Sequence, residues 1–347
     1  MTLFPTHLKL NGKQTAIADL LRNGKKKAEW EKTWFDFLKE WYNETDFIEV
    51  NTSGSTGKPK TIRLKKNFIA ASAQQTINFF NLKENDRILH CLPAKYIAGK
   101  LMVVRALIGN LDLHAVDPSS NFHFLKHEHF KFAAMVSNQV IKILDHGIEK
   151  LEYLLIGGSA VPDSLIERLQ GISTECYSSY AMTETATHIA LQKLNGDHPD
   201  EFYHCLEQIQ VQLSSENCLQ IYMPGLQKPL QTTDLAELKN EKTFRILGRA
   251  DHVVISGGIK FSPEQLEKKL DPFISQVFYF SSAPHETLGQ QLVLIIEGEE
   301  SPALLFEIRT ICSQQLSRYE QPKQIRFVQQ LPHTPNGKLN RKISPQN

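Results

Sequence analysis

Cysteine is scarce and unpatterned in this 347-residue chain: there are five (Cys91, Cys176, Cys205, Cys218 and Cys312), widely spaced and without a CxxC pair. An odd, scattered set disfavours a disulfide framework and a thiolate zinc site, and fits a reducing compartment. Neither sign of charge is in excess. Lysine plus arginine (39) nearly cancels aspartate plus glutamate (38), leaving +1, so no nucleic acid or anionic membrane is expected as the main partner. The opening "MTLFPTHLKL" lacks the basic start and apolar core of a secretory signal, and no hydrophobic run approaches the ~20 residues of a membrane span. These absences predict a soluble cytoplasmic protein whose function resides in local sites. The 41% hydrophobic content suits two domains, or one large domain with a smaller partner.

What is present reads as α/β. Trp30, Trp34, Phe37, Leu38 and Trp41 recur at helical spacing and predict a core-facing helix. The runs "RILHCLP", "FAAMVS", "YLLIGGSA" and "STECYSSYA" predict strands, with helix-like segments such as "SLIERLQ" between some of them. From about Ile209 to Ile246 strand-like pieces and turns dominate, which predicts a small antiparallel or barrel-like subdomain. A second unit starts after "GRAD". There Ser262 is placed to cap a helix beginning at Pro263, with Gln265 answering the cap, and the strands "QVFYFSSA" and "QLVLIIEG" and a helix near Ala303 to Ser317 follow. The expected organisation is a large α/β domain over residues 1–250, including the β-rich subdomain, and a small α+β domain over residues 251–347.

One loop carries a chemical signal of its own. Asn51 to Lys60 reads "NTSGSTGKPK" between the β-like runs "FIEV" and "TIRL". Gly54 and Gly57 let backbone N–H groups approach an anion, and the hydroxyls and lysines add donors. The spacing excludes a P-loop, which needs four residues between its glycines and Lys-Ser/Thr after the second. Alone, such a stretch is far more often an ordinary glycine-rich hairpin turn.

Four motifs in order, "TSGSTGKPK", "YAMTE", "TTD" with "GRAD", and "PHTPNGK", together resemble those of the acyl-adenylate-forming superfamily, which includes acyl-CoA ligases and carrier-protein adenylation domains. The resemblance implies the reaction: ATP converts a carboxylate into an acyl-adenylate, and a thiol then takes the acyl group. It assigns phosphate binding to Thr52, Ser53, Gly54, Ser55, Thr56, Gly57 and Lys60, and adenine and acyl-pocket lining to Gly158, Ser159, Ala160 and Tyr180. It gives the α-phosphate to Thr183, Mg²⁺ to Glu184, the ribose to Asp234 and Arg249, and the catalytic cation to Lys338. Asp251 is then the hinge of a mobile C-terminal domain, and Gly257 with Gly258 form the face that meets CoA. Ala181 and Thr233 stand where the pattern usually has glycine.

Through "SGG" and "LPAKYIAGKLMVVRAL" the chain is most similar to the o-succinylbenzoate:CoA ligases of menaquinone biosynthesis. The similarity implies a small aromatic acid as substrate, with ATP, Mg²⁺ and CoA. The second carboxylate of that acid needs a cation, for which Lys95, Lys100 and Arg105 are candidates, although Arg105 could equally snorkel from an amphipathic helix. An adenylating enzyme serving a carrier protein and a non-catalytic nucleotide-binding module stay open. The segment before the phosphate loop is short for the superfamily, and a partner subunit and a homodimer both stay open as replacements for the shortened part.

Overall fold

Trp34, Phe37, Leu38 and Trp41 are all buried on one face of a helix, as their spacing requires. The computed structural model that shows this describes residues 3–23, 28–51, 60–145, 147–332, 339 and 341. The chain folds as two units, one of residues 1–161 with 165–208 and the other of residues 162–164 with 209–347.

The first unit runs β1 (His7–Leu10), β2 (Lys13–Ala16), α1 (Ile17–Asn23), α2 (Glu29–Trp41), β3 (Phe47–Asn51), β4 (Thr61–Lys65), α3 (Lys66–Phe79), β5 (Arg87–His90), α4 (Ile97–Gly109) and β6 (Asp112–Ala115). It continues through β7 (Phe130–Val136), α5 (Ser137–Ile143), β8 (Leu151–Gly157), α6 (Asp163–Arg168), β9 (Glu175–Ala181), β10 (His188–Lys193) and β11 (Tyr203–Cys205). Strands β9-β8-β7-β5-β6-β1 lie parallel in that order, with β10 and β11 antiparallel beyond β9 and β2 antiparallel beyond β1. The parallel strands read as nearly continuous apolar runs because both faces are covered: Phe132, Ala133, Met135, Leu154 and Ile156 are all buried. Strands β3 and β4 form a separate antiparallel pair, so the glycine-rich stretch between them joins two strands.

The second unit opens with an antiparallel sheet in the order β12 (Gln210–Leu213), β13 (Cys218–Tyr222), β14 (Leu230–Asn240), β15 (Thr243–Arg249). A second sheet follows, of β16 (Val254–Ser256), β17 (Ile259–Phe261), β18 (Phe278–His285), β19 (Gly289–Glu297) and β20 (Gln324–Val328), with helices α7 (Pro263–Leu270) and α8 (Pro302–Gln315). Its core gathers Phe261, Leu266, Leu270, Phe280, Leu294, Ile296, Ile308 and Cys312. The fold is thus α/β with a small α+β sheet domain, as the sequence predicts. One local detail differs. Ser262 stands at the N-cap of α7 with Pro263 at its first position, but the Ser262 hydroxyl donates to the Leu247 carbonyl at 3.1 Å and makes no cap bond. Among the described residues no helix is long and apolar enough to cross a membrane.

Candidate active site

The parallel sheet reverses its order at β5: the chain crosses through α4 to β6 on one side and returns to β7 on the other. Ligands of such sheets bind beyond the carboxyl ends of the strands at that reversal. Those ends are His90, Val136, Gly157 and Ala181. Gly158, Ser159 and Ala160 follow β8 directly and are exposed. Tyr180 lies at the end of β9, and Thr183 and Glu184 follow within one 3₁₀ turn. These six candidates therefore share the carboxyl edge of one sheet. Gly158 has φ +97°, and a Cβ there would sit 3.3 Å from Val136, so the turn suits glycine alone.

Tyr180 packs tilted against Tyr203, with ring centroids 6.0 Å apart, while the Tyr203 hydroxyl meets Ser178 at 2.8 Å. Ala181 is exposed and extended, so its Cβ is accommodated without strain where the family pattern has glycine. The 3₁₀ turn carrying Glu184 is fixed from below by Thr185, whose buried hydroxyl lies 2.7 Å from the Thr187 carbonyl and 3.0 Å from that of Met182. Ala186 closes the turn at φ +62°, an uncommon conformation for a residue with a Cβ.

The three candidate cations have different surroundings. Lys95 is exposed, 5.9 Å from the Tyr96 ring. Lys100 is buried and committed to Glu40 at 2.5 Å, and Glu40 also accepts from the Glu49 amide at 2.7 Å. Arg105 is only 2% exposed, yet its partners are neutral. Nη2 donates to Thr187 Oγ1 at 3.1 Å, Nη1 lies 3.4 Å from Met102 Sδ, and the guanidinium sits 5.8 Å from the Phe132 ring centroid. Its Nε has no hydrogen-bond partner among the described residues. Burial pulls this guanidinium down to about 9. Behind it His188 is buried, and burial together with the Arg105 charge drives its imidazole well below the ordinary value. Thr187, His188 and Thr76 escape sequence reading because the contacts that give them meaning span 82 and 112 positions.

In the second unit, Asp234 and Arg249 face each other across β14 and β15, joined Nη1 to Oδ1 at 3.3 Å. Arg249 also grips Asp251 through Nε at 2.9 Å and Nη2 at 3.1 Å, and it donates to Thr233 Oγ1 at 2.7 Å. Thr233, the second departure from the family pattern, thus supplies an acceptor that glycine would lack. Burial would raise the Asp251 carboxyl, but the Arg249 bonds and charge, with His252, hold it below its ordinary value. Gly257 and Gly258, at φ +57° and +82°, form the two-residue turn between β16 and β17, the geometry of a type I′ hairpin. Lys60 is exposed. Thr52, Ser53, Gly54, Ser55, Thr56, Gly57 and Lys338 lie outside the described residues.

Residues 19–206 match the family of AMP-binding enzymes, and residues 271–338 match the AMP-binding enzyme C-terminal domain. The chain belongs to the AMP-binding enzyme family. This places it among the AMP-forming acid ligases and acyl-CoA synthetases. It is 32% identical to the acyl-CoA synthetase (AMP-forming)/AMP-acid ligase II-like protein of Dyadobacter fermentans, with TM-score 0.63, over 94% of this chain and 97% of that one. It is similar to the 2-succinylbenzoate–CoA ligases of Lactococcus lactis (24% identical, covering 85% of this chain and 70% of that protein) and Staphylococcus aureus strain MSSA476 (27%, 88% and 68%). The fold also matches the Bacillus subtilis o-succinylbenzoate CoA synthetase solved with ATP and magnesium, at TM-score 0.73 and 21% identity, over 85% of this chain and 69% of that one.

Proposed function

We propose that this family member is an ATP-dependent, AMP-forming acid:CoA ligase whose substrate is the aromatic dicarboxylic acid o-succinylbenzoate. The named activities of the Lactococcus and Staphylococcus relatives support the substrate class. The observation that carries the specific reading is Arg105, a buried cation with neutral partners in the crossover helix beside the strand-order reversal. Such a charge costs several kcal/mol to bury and is best compensated by an anion. A dicarboxylate activated at one end supplies that anion at the other.

In the first half-reaction a carboxylate oxygen attacks the α-phosphorus of ATP and pyrophosphate departs. In the second the CoA thiolate attacks the acyl carbon and AMP departs. Thr52 to Gly57 and Lys60 are assigned to the departing phosphates, Tyr180 with Gly158, Ser159 and Ala160 to adenine, and Asp234 to the ribose hydroxyls, with one carboxylate oxygen steadied by Arg249. Thr183 is assigned to the α-phosphate. The donor present fits Mg²⁺: Glu184, in the turn after β9, offers carboxylate oxygen, and this ion commonly takes one or two carboxylates with phosphate oxygens and water. Glu184 would be that carboxylate, and the bound ion would offset charge between phosphates. The catalytic large domain is assigned residues 1–250, and the mobile domain carrying Lys338 residues 251–347.

The test is product analysis with o-succinylbenzoate, ATP, Mg²⁺ and CoA. AMP and pyrophosphate in equal amounts are expected. Stoichiometric ADP overturns adenylation, while AMP formed only with a different acid overturns the substrate and leaves the chemistry.

A further inference from the structure

We infer that His188, acting through Thr187, is the positioning residue that holds Arg105 ready for the second carboxylate of the acid. The inference rests on the proposed role of Arg105. Its physical basis is a chain of four buried groups drawn from three elements of the first unit: Arg105 of α4, Thr187 and His188 at the start of β10, and Thr76 of α3.

The directions of the hydrogen bonds follow from counting protons. Arg105 has only donors, so Thr187 Oγ1 accepts from Nη2 at 3.1 Å. Thr187 then has one hydroxyl proton to place, and His188 Nδ1 lies 3.3 Å away. On the far side of the ring, His188 Nε2 lies 3.4 Å from Thr76 Oγ1, and Thr76 donates to the Ser72 carbonyl at 3.4 Å. With the ring proton on Nε2 every donor along the chain has an acceptor: Arg105 to Thr187, Thr187 to Nδ1, Nε2 to Thr76, Thr76 to Ser72. With the proton on Nδ1 the Thr187 hydroxyl proton is left buried without one, which costs about 1–3 kcal/mol. A doubly protonated ring would add a second charge beside Arg105 in a dry site. The ring is therefore neutral and protonated on Nε2.

In that state Nδ1 draws the Thr187 proton away from Arg105 and turns a lone pair toward the guanidinium. Met102 Sδ and the Phe132 ring hold the rest of the group without neutralising it. The charge is fixed in place, and Nε, which has no partner among the described residues, keeps its donor. An apolar side chain at position 188 would free the Thr187 hydroxyl to rotate and would loosen the guanidinium.

Two measurements test this, one of them on the unaltered protein. Nitrogen-15 NMR of histidine-labelled protein, with the His188 signals assigned by their loss in His188→Leu, is expected to show a protonated Nε2 and an unprotonated acceptor Nδ1. A proton on Nδ1 overturns the relay. The second measurement compares o-succinylbenzoate with its two analogues lacking one or other carboxylate, using whichever is still activated. His188→Leu is expected to raise KM for the dicarboxylate about 10-fold, the scale of a hydrogen bond to a charged group, with little change in kcat or in either constant for the monoacid. His188→Asn, whose side-chain oxygen can replace the Nδ1 acceptor, should restore most of the loss. Equal damage on both acids overturns the positioning role. Arg105→Met separates the two levels of argument. If it discriminates between the acids and His188→Leu does not, only the relay falls, and if Arg105→Met fails to discriminate, the carboxylate reading falls with it.

Discussion

Burial pulls the His90 imidazole down to about 4, and this residue, like the buried His188, ties stability to pH. In the unfolded chain the ring titrates near its ordinary value, so between about pH 6.5 and pH 4 the unfolded state binds a proton that the folded state refuses. Stability then rises with pH across that window and is lost on acidification, by up to about 3 kcal/mol at the acid end. His90→Leu should make this part of the profile shallower, as read by urea unfolding at steps from pH 7 to pH 4.5. An unchanged slope would mean that His90 is not a source of the dependence. At this scale the sequence exposed the groups that belong to contiguous motifs, such as Tyr180, Thr183 and Glu184, because their meaning lies in neighbours along the chain. It did not expose His90, whose neutrality comes from the packing around it, nor the tie between Arg105 and Thr187, which only the fold brings together.

Among elements, α7 is held to its sheet by a half-buried carboxylate, that of Glu267. Glu267 accepts from the Phe280 amide of β18 at 2.7 Å and takes both arms of Arg341, at 2.6 and 2.5 Å, while Arg341 stacks 5.6 Å from the Tyr279 ring centroid. Burial raises the Glu267 carboxyl despite its bonds to Arg341, so removing the arginine strands a group that already resists ionising. Arg341→Met should cost about 1.5–3 kcal/mol, the scale of hydrogen bonds to a charged group, and Glu267→Gln combined with Arg341→Met should recover much of it. Thermal unfolding of the single and double variants checks this, and a strictly additive double variant would show that the pair is not coupled. The existence of α7 was legible from Ser262 and Pro263 at its start, with Gln265 three positions after the serine. The job of Ser262 was not: its hydroxyl has two uses, and the nearby Leu247 carbonyl decides between them. The parallel strands were legible as apolar runs, whereas their order was not, because any run of that kind fits several positions in a sheet buried on both faces.

For the whole molecule, the proposed chemistry asks one chain to stabilise two different transition states. Negative charge gathers between the carboxylate and the α-phosphate during adenylation, where a cation such as Lys338 helps, but the thiol of the second step needs access to the same acyl carbon. We propose that a division of labour within the C-terminal domain resolves the conflict, with Lys338 serving the first step, the Gly257-Gly258 turn the second, and Asp251 the hinge on which that domain turns. The Arg249 fork holds Asp251 through two bonds, at 2.9 and 3.1 Å, and on the proposed hinge reading these are the bonds that a turn would have to break. Lys338→Ala should therefore slow adenylate formation by about 10²- to 10³-fold, as loss of one well-placed electrostatic group does, while conversion of synthetic acyl-AMP and CoA to thioester stays near the unaltered rate. Asp251→Pro, which restricts φ at the joint, should show the reverse pattern. Asp251→Asn, which weakens the anchor without stiffening the backbone, separates loss of the Arg249 bonds from loss of motion: it should leave the thioester step closer to normal than the proline does. If Lys338→Ala damages both half-reactions equally in a folded protein, the lysine holds the site together and the two faces do not divide the work.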